Sequence, residues 1–270
     1  MAYKTILVHL NDKRRAEALL EPAVHLASRY NAHLIGMCVY ARLPASPVAS
    51  RAMATERNDT EEIAATFSQM TADRPFVAEW RALEVHHVDL ASVVMDHGRC
   101  ADLIMAGQAD PDWDLSPLLD FPERLAVESG RPVLVVPYVG RYPAIGRNVV
   151  VAWKPGREAA RAVFDALPIL RDAKQVQLLE VRQRRDDARA LAPDTAIAAS
   201  LARHGIKASI RSSMAADISV GDEILSRLAD ADADLLVMGA YGHSRMRELV
   251  FGGATRHIAR HMTVPTLFSH

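Results

Sequence analysis

Apolar residues fall along this chain in short, nearly unbroken blocks, separated by longer stretches in which apolar and polar positions recur with helical spacing. Ile6-Leu7-Val8, Leu103-Ile104-Met105-Ala106 and Val133-Leu134-Val135-Val136 are such blocks. A strand with one wet face alternates, whereas a block that is apolar throughout reads as a parallel strand covered on both faces. The pattern predicts strands near 4–10, 33–40, 77–86, 102–107 and 132–136, then near 148–153, 175–181, 206–211, 234–239 and 264–268. Helices are predicted at 157–170, 194–204, 219–231 and 253–262, with Gly156 punctuating a strand–helix loop and Gly205 a helix end. Segment 42–58, which carries Pro44, Pro47 and several Ala and Ser residues, reads as a long surface loop ahead of a helix.

The two halves repeat one another. Lys4-Thr5-Ile6-Leu7-Val8-His9-Leu10 matches Arg147-Asn148-Val149-Val150-Val151-Ala152-Trp153, and Ala101-Asp102-Leu103 matches Ala233-Asp234-Leu235. Arg131-Pro132-Val133-Leu134 matches Thr263-Val264-Pro265-Thr266 in turn, so the landmarks keep their order and mark a duplicated domain. Gly140, Pro143 and Gly146 break both periodicities, which places a linker at 138–146 between a domain at 1–140 and a second at 147–270. Right-handed crossovers then give the fold class, α/β, as two tandem doubly wound domains, each with an open five-stranded parallel sheet. Ligands of such sheets lie beyond the carboxyl ends of the strands, where strand order reverses.

Composition narrows the function classes. A formal net charge of -1 leaves no nucleic-acid footprint, and the run Arg182, Arg184, Arg185 is interleaved with Asp186 and Asp187 as a solvated loop would be. No apolar run reaches the roughly 20 residues a membrane span needs, and the first strand follows the N-terminus without a signal-peptide core. Cys38 and Cys100 form neither a CxxC pair nor a disulfide framework. The expectation is a soluble cytoplasmic protein that touches neither nucleic acid nor membrane.

The candidate chemistry lies near the end of the chain. Leu235-Leu236-Val237-Met238-Gly239 leads to Gly242, and Gly252-Gly253-Ala254-Thr255 then opens a helix, so the spacing is G-x2-G-x9-G. Glycine lets the backbone approach a phosphate, and the unpaired N–H groups of a helix start face it. Arg245, Arg247 and Arg256 flank this loop as either phosphate partners or solvated residues. His257 and His261 are four apart on one helix face, a spacing that suits a metal, but no glutamate or cysteine completes a ligand set. The neighbours His86 and His87, if both lie in a strand, point to its opposite faces. There is no G-x4-G-K-[ST] loop and no G-x-S-x-G elbow, and neither metal nor catalytic residues are assigned.

The strand ending in Met238-Gly239, the glycine spacing and the final Val264-Pro265 strand together resemble the universal stress protein family in its tandem form, whose fold is that of the adenine nucleotide alpha hydrolases. The resemblance implies a non-enzymatic stress-response module and a modified site for ATP or another adenine nucleotide in the second domain. It implies ligand contacts at Met238, Gly239, Gly242, Gly252, Gly253, Ala254 and Thr255, with Ala152, Trp153 and Val181 near the base. Two positions depart from the family pattern: Gly253 stands where binders carry Ser or Thr, and Lys154 where they carry an Asp, with Asn11 its counterpart in the first half. In the first half Asp110 replaces the second glycine, and Pro122 and Glu123 stand at the helix start, so that domain is expected to bind no nucleotide. The alternatives are a nucleotide-free interaction scaffold and an ATP-dependent transferase on a related sheet. The family's pairing through the last strand implies a pseudo-dimer within the chain, through Val133–Val136 and 264–268, or a homodimer.

Overall fold

The structure, a computed structural model, describes residues 2–41, 47–86, 89–113, 116, 120–183, 195–240 and 253–270, and only the backbone of 47–58. The chain divides into two compact units, Ala2–Ala144 and Ile145–His270.

The first unit holds β1 (Thr5–His9), α1 (Ala16–Tyr30), β2 (His33–Ala41), α2 (Pro47–Thr71), β3 (Ala78–Val85), α3 (Leu90–Gly98), β4 (Leu103–Gly107), α4 (Pro122–Glu128) and β5 (Val133–Val136). Its strands lie parallel in the order β3-β2-β1-β4-β5. The three inner strands and β5 are apolar because both faces are covered: Ile6, Leu7, Leu34, Ile104 and Val133 are buried. Each such side chain contributes about 1.5–3 kcal/mol relative to exposure. The edge strand β3 is only partly covered and carries Glu79, Arg81 and Glu84, which blunt an open edge.

The second unit holds β6 (Asn148–Ala152), α5 (Arg157–Asp165), α6 (Leu167–Asp172), β7 (Gln175–Gln183), α7 (Thr195–Arg203), β8 (Ala208–Ala215), α8 (Val220–Asp230), β9 (Leu235–Gly239), α9 (Gly253–His261) and β10 (Thr266–Ser269). Its parallel order β10-β9-β6-β7-β8 repeats that of the first unit, with the earliest strand central and the switch point beside it. The fold is therefore α/β, doubly wound, with five parallel strands in each unit.

The repeated Ala-Asp-Leu has a structural reason. Asp234 accepts hydrogen bonds from the backbone N–H groups of Gly146, Arg147 and Asn148 at 2.9–3.1 Å, and so holds the chain where β6 begins. Asp102 does the same for β1, accepting from Lys4 N at 2.7 Å and Thr5 N at 3.0 Å. Each carboxylate precedes one strand and satisfies backbone donors at the start of its neighbour, which would otherwise lack partners.

Three local expectations are corrected. Residues 47–58 are helix, not loop, because Pro47 occupies the first helical turn, where its missing N–H costs nothing, and Ala49, Arg51, Ala52, Met53, Ala54 and Glu56 are good helix formers. Only 42–46 of the expected loop lie outside the described residues. The single helix at 157–170 is two helices, broken at Ala166, because Pro168 cannot donate to the carbonyl four residues back. The strand expected at 206–211 runs instead over Ala208–Ala215, since Gly205 and Ile206 still belong to the turn that closes α7.

Candidate functional site

The glycine motif places its first member at the end of β9. Gly239 faces the first turn of α5 so closely that a Cβ added there would stand 2.6 Å from the Ala159 nitrogen and from the Glu158 carbonyl carbon. The third part of the motif begins α9, where no described residue comes within 4 Å of a Cβ built on Gly253. Gly253 is exposed, Ala254 half-buried and Thr255 buried. Gly242 and Gly252, with Arg245, Arg247 and His243, lie outside the described residues.

The sheet brings the remaining candidates to the same end. Ala152 is the last residue of β6, in register with Met238 of β9 on one side and Leu179 of β7 on the other. Trp153 follows, buried, its N–H donating to the Leu179 carbonyl at 2.9 Å. Val181 lies two residues beyond Leu179 in β7, opposite Ser213. Ala152, Met238 and Gly239 are thus strand-end neighbours across the switch point, with Trp153 one step past it.

Sequence reasoning assigned no chemistry to three residues here. Glu158 is buried in the first turn of α5, and its carboxylate pairs with the Arg157 guanidinium. Burial pushes this carboxyl up, but the Arg157 hydrogen bond, the residue's own amide and the charges of Arg157 and His270 outweigh that effect and hold it below the usual range. Gly156, the N-cap of α5, was legible only as a break between strand and helix. His270 places Nδ1 2.9 Å from the Ala240 carbonyl oxygen, so its ring N–H donates to the root of the glycine loop. The mixture of buried apolar and charged positions in Arg157-Glu158-Ala159-Ala160 resembles any amphipathic helix start, so no motif marks Glu158.

The histidine pair of α9 has other partners. His257 Nε2 lies 2.9 Å from Asp222 of α8 and its ring packs over Gly221, where a Cβ would meet it at 2.5 Å. His261 Nδ1 is 3.0 Å from the His257 carbonyl oxygen, and the two rings are 4.4 Å apart. These contacts fasten α9 to α8. No group of three metal-capable side chains occurs among the described residues. His87 lies outside them.

In the first unit the corresponding end of the sheet is filled by its own side chains. The Arg15 guanidinium lies where a Cβ on Gly107 would meet it at 2.8 Å, and it donates to the Gln108 carbonyl at 2.8 Å. Asp120 accepts from Asn11 Nδ2 at 2.8 Å, the Asp110 N–H at 3.1 Å and Ser116 Oγ at 2.7 Å, which ties the loop after β1 to the loop after β4. Burial raises the Asp120 carboxyl and lowers the Arg15 guanidinium from their ordinary values. Arg14 clasps Asp12 and lies 5.4 Å from the centre of the Trp113 ring. Beneath them His9, buried at the end of β1, stacks on Phe121 with ring centres 4.9 Å apart, and burial lowers its pKa to about 4. Pro122 opens α4 with Glu123 in its first turn, so the helix start offers one N–H fewer and a negative charge.

With this geometry described, comparison with known proteins is decisive for the second unit: the model of the universal stress protein family matches residues 147–270. This part of the chain belongs to the universal stress protein family. Solved structures extend the likeness of fold to the rest. A universal stress protein from Archaeoglobus fulgidus DSM 4304 is 15% identical, with 98% of this chain and 95% of that chain covered at a TM-score of 0.76. A functionally unknown protein from Pseudomonas aeruginosa PAO1 is 15% identical over 99% of this chain and 92% of its own, with a TM-score of 0.63. The cytoplasmic domain of a prokaryotic cation chloride cotransporter is 10% identical over 98% and 94%, with a TM-score of 0.54. At these identities the likeness is one of fold. No curated protein matches the chain. The universal stress protein domain is thus the half that keeps the glycine spacing, and no helix among the described residues is long and apolar enough to cross a membrane.

Proposed function

We propose that the chain is a cytoplasmic, non-enzymatic stress-response module whose second unit binds ATP or another adenine nucleotide at a modified, backbone-dominated site. The observation that carries this reading is a glycine pressed against α5 together with the start of α9: Gly239 admits no side chain, and no described residue lies within 4 Å of a Cβ built on Gly253. A phosphate fits such a start because N–H groups and the helix dipole both favour an anion, and α9 has no acidic residue in its first turn. Ala152, Trp153 and Val181 are the candidates beside the base. When bound, a nucleotide supplies the signal this module reads; the chain's own part is to hold it through the N–H groups of Gly253, Ala254 and Thr255.

In this reading the first unit is a structural partner, because Arg15 already lies against Gly107 and Asp120 already knots the loops that a ligand would have to part. Titration of purified, nucleotide-stripped protein with ATP, ADP and AMP tests the reading. Saturable binding supports it, and no binding at millimolar nucleotide rejects it. Rejection would favour an interaction scaffold of the same fold, the second reading, for which Lys154 in place of a carboxylate is the specific motive.

A further inference from the structure

Gly156 is not required by its backbone. Its φ of 175° is extended, a conformation any residue adopts, so what the glycine contributes is the missing side chain. The space thus left has two acceptors on its border: a Cβ there would lie 3.6 Å from Glu158 Oε2 and 3.8 Å from the Lys154 carbonyl oxygen. Glu158 is fixed rather than swinging, since its side chain is only 8% exposed and is held by Arg157 and by the packing of its backbone on Gly239. A fixed carboxylate oxygen and a carbonyl oxygen bordering one small notch form a receptor for an N–H or O–H donor.

We propose that this notch receives a donor of the nucleoside part of the ligand, an amine or a sugar hydroxyl, and that Glu158 thereby supplies the carboxylate lost at Lys154. The inference rests on the nucleotide reading above and adds to it the residue that reads the nucleoside. The notch and the Gly253 helix start divide the ligand between them: acceptors at the loop after β6 for the uncharged donor end, N–H groups at α9 for the phosphates. In the first unit Lys13, Arg14 and Arg15 occupy the corresponding stretch and pair with Asp59, Asp12 and the Gln108 carbonyl.

The full chain, stripped of nucleotide, is titrated with ATP and with inorganic tripolyphosphate as wild type, Gly156→Ala and Glu158→Gln. Alanine fits position 156 at ordinary contact distance, so circular dichroism and melting are expected to be unchanged while the notch is filled. The inference predicts that each substitution weakens ATP binding tenfold or more and leaves tripolyphosphate within twofold of wild type. ATP binding equal to wild type in both variants overturns the inference while leaving the nucleotide reading intact. Equal losses for ATP and tripolyphosphate in a folded variant also overturn it. Wild-type protein that binds no ATP overturns both. Should the alanine variant fail to fold, Glu158→Gln alone decides by the same criteria.

Discussion

Gly239 and Ala159 approach so closely that the last residue of β9 has no room for a methyl group: a Cβ on Gly239 would stand 2.6 Å from the Ala159 nitrogen. The atoms in the way are backbone, so they cannot rotate aside. Gly239→Ala is predicted to destabilise the second unit by about 1–3 kcal/mol, the usual cost of overpacking, and to weaken nucleotide binding by moving α5 off the strand end. Urea unfolding and ATP titration of the same variant check both parts.

Asp234 is predicted to matter for stability and not for the ligand. Asp234→Ala leaves the N–H groups of Gly146, Arg147 and Asn148 without their carboxylate, for a loss of about 2–3 kcal/mol, with nucleotide affinity of the remaining folded protein unchanged. Asp102→Ala, with two N–H partners in place of three, is predicted to cost less. Denaturant midpoints of the two variants give the comparison.

These two aspartates show how much was legible beforehand. The repeated Ala-Asp-Leu was readable as a landmark of duplication, and the parallel strands were readable because burial on both faces leaves a block of apolar residues. Its function as a clamp on the neighbouring strand was not legible, since that depends on a contact 97 residues away in one unit and 86 in the other. The glycine loop was visible because glycine has few reasons to recur at fixed spacing. Glu158 was not, because a charged residue in a first helical turn is ordinary, and only the fold places it beneath Gly156. The plug of the first unit was half legible: Asp110 and Pro122 spoke against a phosphate, but nothing in the sequence indicated that Arg15 would cover Gly107.

His9 makes the first unit sensitive to acid. Its folded pKa of about 4 lies below the ordinary 6.5, so between these values the unfolded chain binds the proton and the folded chain does not. The contribution of His9 to stability is therefore full above pH 6.5, falls as pH drops towards 4, and levels below it; the gap corresponds to roughly 3 kcal/mol. His9→Phe keeps a ring against Phe121 and removes the titration. Urea unfolding of both proteins at pH 7 and pH 4.5 is predicted to show a smaller acid loss in the variant.

Gly253 gives a gain-of-function prediction. No described residue comes within 4 Å of a Cβ built there, and serine at this position restores the hydroxyl that the family resemblance implies for nucleotide binders. Gly253→Ser is predicted to tighten ATP binding about five- to tenfold, the worth of one hydrogen bond, with adenosine binding unchanged. Calorimetric titration with the two ligands separates the phosphate end from the nucleoside end.

The central claim, one nucleotide site per chain and that site in the second unit, is tested most directly by hydrogen exchange of the full chain with and without saturating ATP. The account predicts slowed exchange at the end of β9 and through Gly253-Ala254-Thr255, with Gly107 and the segment around Asp120 unchanged. Protection in the first unit, or none anywhere, would contradict it.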